Sequence, residues 1–348
     1  MRRLEQRLRL QAEQCSAFGS PLTGALLHGA ADDLAAGGVV RELLKAHEDD
    51  PSGSVPSLRL AGSLHRLVLE RKAPELALHY PSVGGTAAVT EVWPAAERAC
   101  RAHLAELREL LTRPVQTNEV GRSAALYGAL MLIDGPVRLL EIGSSAGLNL
   151  RCDAFAYELG EEVLGDPDSP VRLVQPWQGH LPTGSPEILV RKGCDPSPVD
   201  VMTPDGRTTL TSYVWADQLE RLGRLRAAMS VAERIPAEVE RAGALDFLTR
   251  ELAELPEGTT TVVWHSLVWQ YVDPAERKAV EELLSRAGAS ATATARLARV
   301  SLEPTRIGGG PWTFQVYVQL WPGGRRAHVA DALGHGPPVT WLGARLDG

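Results

Sequence analysis

The residues best suited to chemistry lie in one short segment, Leu139-Leu-Glu-Ile-Gly-Ser-Ser-Ala-Gly-Leu-Asn149. Its first half is a compact apolar run of the length of a buried strand, and Gly143 and Gly147 then bracket a tight turn into a predicted helix. At the carboxyl end of a parallel strand, such a turn lets a nucleotide-like ligand lie against the main chain. Glu141 stands near the strand end, where a carboxylate can engage amino or hydroxyl groups of a cofactor, and Ser145 and Asn149 add polar side chains. A strand-to-helix turn without a ligand is the plainer reading, and two glycines alone do not decide between them.

Later acids recur in the order that a nucleotide site needs. Asp195 follows the strand-like run Glu187 to Arg191 and can accept both hydrogen bonds of a ribose diol, although Asp195-Pro196 also suits an ordinary turn. Asp217 and Gln218 close a third predicted strand, Leu210 to Trp215, and suit an adenine edge; a helix N-cap at Asp217 explains the same residue. A fourth run, Thr260 to His265, leads into Ser-Leu-Val-Trp-Gln-Tyr271, where the acceptor of a transferred group should lie. His265 and Tyr271 are the candidate bases there, with a satisfied core histidine as the plainer reading of His265. Trp264 and Trp269 line an acceptor pocket or simply fill the core. Gln116, Asn118, Glu119 and Arg122 open the helix before the first strand, and Arg122 is placed to pair with a cofactor carboxylate.

The elements that must position these residues fall into two textures. Residues 1–113 place leucines and alanines at helical spacing, as in Leu4, Leu8 and Ala12 or Leu60, Leu64, Leu67 and Val68, with proline and glycine dividing them into five or six helices. From 114 onward, strand-like runs at 137–142, 171–174, 187–191, 210–215, 260–265 and 292–300 alternate with helical stretches at 118–133, 218–232, 239–255 and 274–287. Thr313 to Leu320, Pro322-Gly-Gly and Ala327 to Leu333 read as an antiparallel hairpin. The expected fold is α/β: a Rossmann-like methyltransferase sheet, mostly parallel with an antiparallel C-terminal hairpin, over 114–348, preceded by an all-α domain over 1–113. That topology points to methyl transfer, with S-adenosylmethionine as cofactor, rather than to most dehydrogenases.

The strings QTNEVGRSAAL (116–126), LLEIGSSAGLNL (139–150), DPDSPVRL (166–173), RKGCDPSPVDV (191–201), WADQLERLGRLRAA (215–228) and WHSLVWQYV (264–272) resemble the bacterial DUF2332 family, as does His335-Gly336. The resemblance spans almost the whole chain and implies a methyltransferase-like protein. The common loop of such enzymes is acid-x-Gly-x-Gly-x-Gly; here Ser145 stands at the central glycine, and no Asn-Pro-Pro-Tyr signature follows, so the acceptor stays open.

Two rivals share the same residues. Gly143 to Gly147 also matches G-x-S-x-G, the elbow of an α/β-hydrolase with Ser145 as nucleophile, Asp273 as acid and His328 or His335 as base. The helical character of the preceding sequence and the lack of an HGGG-like segment argue against it. A non-catalytic Rossmann-like scaffold is the other. Bulk properties narrow the classes further. With 36 basic and 43 acidic residues in 348, the net charge of −7 gives no global basic field for nucleic acid. The four cysteines are widely spaced, no metal-ligand spacing occurs, and neither a signal peptide nor a membrane span is visible. A cytoplasmic protein acting on a small molecule is expected, its helical part supplying acceptor specificity or a homo-oligomer contact.

Overall fold

The computed structural model describes residues 1–306, 312–344 and 346. The chain divides into two compact units, residues 1–117 with 202–223 and residues 118–201 with 224–348. In chain order the helices are α1 (Arg2–Ala17), α2 (Pro21–Ala36), α3 (Val39–Leu44), α4 (Pro56–Leu69), α5 (Pro74–Ala77), α6 (Val92–Ala102), α7 (Leu104–Leu110), α8 (Ser123–Leu130), α9 (Pro204–Ser212), α10 (Leu219–Arg234), α11 (Ala244–Glu251) and α12 (Pro274–Ala289). No helix among the described residues is long and apolar enough to cross a membrane.

In the first unit the described elements are helices, and the expected leucine seams form its core. Leu4, Leu8, Ala12 and Cys15 bury one stripe of α1, and Leu60, Leu64, Leu67 and Val68 are the apolar seam of α4, most of whose residues are buried. Each fully buried leucine contributes about 2 kcal/mol. The segment read as a third strand, 210–215, belongs here and is no strand: its first three residues end α9 and the rest is a turn. Thr203 caps α9 by accepting from Gly206 N, and Pro204 occupies its first turn, so a local start signal overrides the β-branched Thr-Thr-Leu-Thr that follows.

The second unit is built on a nine-stranded sheet. Its strands, with those of a small satellite sheet, are β1 (Pro136–Ile142), β2 (Ala156–Leu159), β3 (Glu162–Gly165), β4 (Arg172–Val174), β5 (Trp177–His180), β6 (Glu187–Asp195), β7 (Glu238–Arg241), β8 (Thr259–Ser266), β9 (Ala295–Arg306), β10 (Trp312–Trp321), β11 (Arg325–Leu333) and β12 (Gly336–Leu342). The large sheet runs β5-β12-β11-β10-β9-β8-β1-β6-β7, and β2, β3 and β4 form the satellite. From β7 to β9 all pairings are parallel, whereas β9 to β12 form an antiparallel meander. The protein is therefore mixed α/β, with the predicted hairpin at its C-terminal side.

Two features position the site. The chain leaves β1 to build β6 and β7 on one side, then returns to build β8 and β9 on the other, so the order reverses at β1. Side chains of α11 and α12, among them Phe247, Leu248, Val280 and Leu284, pack with Leu140, Ile142, Val263 and Leu297 on one sheet face. Several expected boundaries move. The long helix at 118–133 is the shorter α8, buried on all sides, and the helix at 239–255 is β7 followed by α11. β7 escapes a periodicity reading because it is a four-residue edge strand, Glu-Val-Glu-Arg, charged at three of its four positions.

Candidate functional site

After Ile142 the main chain turns through Gly143, Ser145 and Gly147, all at positive φ (+67°, +54° and +66°). For Ser145 this left-handed conformation costs about 1–2 kcal/mol, and hydrogen bonds from the neighbouring strand end hold it there. Ser145 N donates to Asp195 Oδ2 at 2.9 Å, and Val199 N donates to the Ser145 carbonyl at 3.1 Å. Ser144 N and Oγ both donate to the Cys194 carbonyl, at 3.0 and 3.2 Å. Asp195 Oδ1 also accepts from Ser197 N at 2.8 Å. The acid expected to bind a ribose thus fastens the turn.

The two glycines are required by packing as well as by φ. A Cβ on Gly143 would lie 2.2 Å from Val268 Cγ2, and one on Gly147 would lie 2.7 Å from Val239 Cγ2. No α-helix follows the turn. Leu148–Ala154 is a 3-10 segment with a non-helical Arg151, so the expected helix N-terminus, and its dipole, are missing at this point. Instead Arg151 Nη1 donates to the Gly147 carbonyl at 2.8 Å and its Nε to the Ile235 carbonyl at 2.6 Å. Asn118 Oδ1 accepts from Leu148 N at 2.9 Å, and Asn149 Nδ2 donates to the Glu119 carbonyl at 3.2 Å.

Glu141 is the anomaly. It pairs in register with Trp264 of β8, is only 3% exposed, and its Oε2 has no hydrogen-bond partner. Burial pushes its carboxyl up to about 8, against the pull of the Trp264 indole and the charges of Arg122 and Arg151. The Trp264 Nε1–H attracts the Glu141 carboxyl without closing a well-formed hydrogen bond to it, and Asn149 Oδ1 is buried without a partner. Arg122 donates from Nε to the Gly334 carbonyl at 3.0 Å and from Nη1 to the Ser266 carbonyl at 3.4 Å. The turn thus gathers Arg122, Glu141, Gly143, Ser145, Gly147, Asn149 and Asp195 within the second unit.

His265 ends β8 fully buried, with both ring nitrogens engaged. Nδ1 lies 2.8 Å from Glu303 Oε1, and Nε2 faces Arg299 Nε and Nη2 at 3.1 and 3.0 Å. Arginine can only donate, so Nε2 accepts and Nδ1–H donates: the ring is neutral. Burial, aided by Arg299, lowers its proton affinity against the opposing Glu303. Such a ring positions its neighbours and has no lone pair left for a substrate proton. Tyr271 is 49% exposed, and its phenol is pushed up by burial and by Glu303 against Arg122.

Three expected residues belong to the first unit rather than the second. Asp217 belongs to the first unit, where its Oδ1 accepts from Ser20 Oγ at 2.5 Å and its Oδ2 from Leu22 N at 2.9 Å, closing the start of α2. Gln218 Nε2 donates to the Phe18 carbonyl at 2.7 Å. Gln116 falls in that unit too. Of the hydrolase set, Ser145 has the strained backbone of an elbow, but Asp273 caps α12 through Ala275 N, and His328 Nε2 pairs with Asp331 Oδ1 at 3.0 Å. The residues that sequence reading misses are Glu303 and Arg299; polar side chains at every second position of an apolar strand, Arg299, Ser301 and Glu303, are the available signal.

Over residues 5–341 the chain matches the family described as "Uncharacterized protein conserved in bacteria (DUF2332)". No curated protein matches it.

Proposed function

The chain belongs to the DUF2332 family, and from its strand order we propose that the second unit is a Rossmann-like, S-adenosylmethionine-dependent methyltransferase domain acting on a small molecule. The first unit is then the helical domain that would select the acceptor or contact another copy. Support comes first from the reversal of strand order at β1, since open α/β sheets generally bind ligands at the carboxyl ends of their strands where the order reverses.

Glu141 carries the reading. A buried carboxyl oxygen left without a partner costs about 1–3 kcal/mol, and a ligand ammonium beside it would supply the missing donor and favour the ionised carboxylate over the proton that burial otherwise retains. Glu141 and Asn149 would hold the cationic methionine end, with Arg122 near its carboxylate and Asp195 at the ribose. When bound, the cofactor supplies an electrophilic methyl group. The chain's own task is then to orient an acceptor and exclude water. With both His265 nitrogens engaged and the Tyr271 phenol pushed up, neither is a ready base at neutral pH. The reading therefore favours an acceptor that needs no strong base.

The test is titration calorimetry with S-adenosylhomocysteine on the wild type and on Glu141→Gln. Binding by the wild type, weakened at least tenfold in the variant, supports the assignment. A folded wild type that gives neither heat nor a thermal shift would support the scaffold reading instead.

A further inference from the structure

We propose that the carboxyl ends of β8 and β9 form a subsite for an organic cation, an alkylammonium or guanidinium group, with Glu303 as its anion. Calling that cation part of the methyl acceptor rests on the reading above; the subsite itself does not. Glu303 has an asymmetric carboxylate. Oε1 takes three donors, His265 Nδ1–H at 2.8 Å, Val268 N at 3.1 Å and Trp269 N at 3.4 Å. Oε2 is buried and has none.

No lysine or arginine ion pair reaches Glu303 among the described residues; its one charged-type partner is His265, which the Arg299 contact keeps neutral. Arg299 is itself paired with Glu281 at 2.7 Å. Arg299 attracts Glu303 through space without a hydrogen bond to it, so a carboxylate only 16% exposed keeps one buried oxygen with no donor.

The surroundings repeat the demand. Register puts Glu303 beside Gln315 and Gln315 beside Asp331, so carboxylate, amide and carboxylate form one row across β9, β10 and β11. The next row is His265, Ser301, Tyr317 and His328, and the arginines Arg299 and Arg326 lie one row further toward the amino end of β9. Acid is thus concentrated toward the carboxyl ends of β8 and β9. Cations already rest on aromatic rings here: Arg299 lies 5.5 Å from the Trp269 centroid and Arg326 lies 4.1 Å from that of Tyr317. Tyr271 offers a further half-exposed ring on the segment that Glu303 fastens.

The test titrates the full chain with n-butylammonium and, separately, with n-butanol, following the indole N–H resonance of Trp269. The ammonium should bind at least tenfold more tightly than the alcohol, and Glu303→Gln, which keeps an amide oxygen for the Val268 and Trp269 N–H groups, should abolish that preference in a chain that still unfolds cooperatively in urea. Equal affinity for both probes, or an undiminished preference in Glu303→Gln, overturns the subsite. Should that variant misfold, Asp331→Asn replaces it and is expected to weaken the ammonium alone, by about threefold; an unchanged ammonium affinity counts against the subsite. Ammonium binding in a protein that ignores S-adenosylhomocysteine would keep the subsite and remove the methyltransferase reading.

Discussion

Val268 is seated on the α-carbon of Gly143 so closely that a Cβ there would lie 2.2 Å from its Cγ2. Val268 N in turn donates to Glu303 Oε1 at 3.1 Å. The end of β9 thereby fixes the segment after β8, and that segment fixes the turn after β1.

This contact predicts the behaviour of Gly143→Ala. The new Cβ must displace Val268 and adopt φ near +67°, so the variant should lose roughly 2–4 kcal/mol of stability in urea unfolding. Val268→Ala in the same chain should recover the packing part of the loss and leave the backbone part. No recovery would mean that Val268 is not what excludes a side chain. Substitution of Gly143 consequently reports on folding before it reports on any ligand.

Glu141 predicts a pH effect on the free protein. Its folded-state pKa, about 8, lies above the ordinary 4.5. The stability it lends is complete below that ordinary value and is lost as pH rises through about 8. Glu141→Gln should therefore gain on the wild type between pH 5 and pH 9, by more than about 1 kcal/mol at the upper end. Parallel stability curves for the two proteins would show that the carboxyl is not held protonated.

His265 acts in the opposite direction. Its pKa is lowered, so stability is complete above about 6.5 and falls as acid drives the unfolded chain to take a proton that the folded ring resists. His265→Ala should flatten that acid-side fall. It should also cost about 2–4 kcal/mol at pH 7.5, because Arg299 and Glu303 lose a buried partner. Urea unfolding from pH 5 to 7.5 measures both effects.

Ser145 is expected to be chemically quiet. Although its backbone has the strain of an elbow, the imidazole at the end of β8 is engaged by Glu303 and Arg299. A fluorophosphonate probe should leave Ser145 unlabelled, as read by peptide mass spectrometry. Stoichiometric labelling would restore the hydrolase assignment.

Legibility in the sequence followed burial. β1, β8 and β9 carry buried apolar runs and are visible, as are the apolar start of β6, although its Leu189 is exposed, and the β10–β11 hairpin with its period of two and its Pro-Gly-Gly turn. The edge strand β7 and the satellite strands β2 and β3 are four residues each and bury too little to leave a pattern. Residues 202–223 join the helical unit through contacts with residues some 200 positions away, such as Gln218 with Phe18, and local pattern cannot encode those. Within the site, the acid at the end of β1 could be read from its position. That its Oε2 is buried and unpartnered depends on the side chains of other strands and helices. Glu303 escapes the sequence reading because the strand-like run ends at Val300, whereas β9 continues to Arg306.

A crystal structure of the chain grown with S-adenosylhomocysteine tests the central claim most directly. The account predicts ligand density at the carboxyl ends of β1 and β6, with the ligand's amino group within hydrogen-bond distance of Glu141. Density elsewhere on the chain, or a Glu141 carboxylate still unpartnered at saturating ligand, would contradict it.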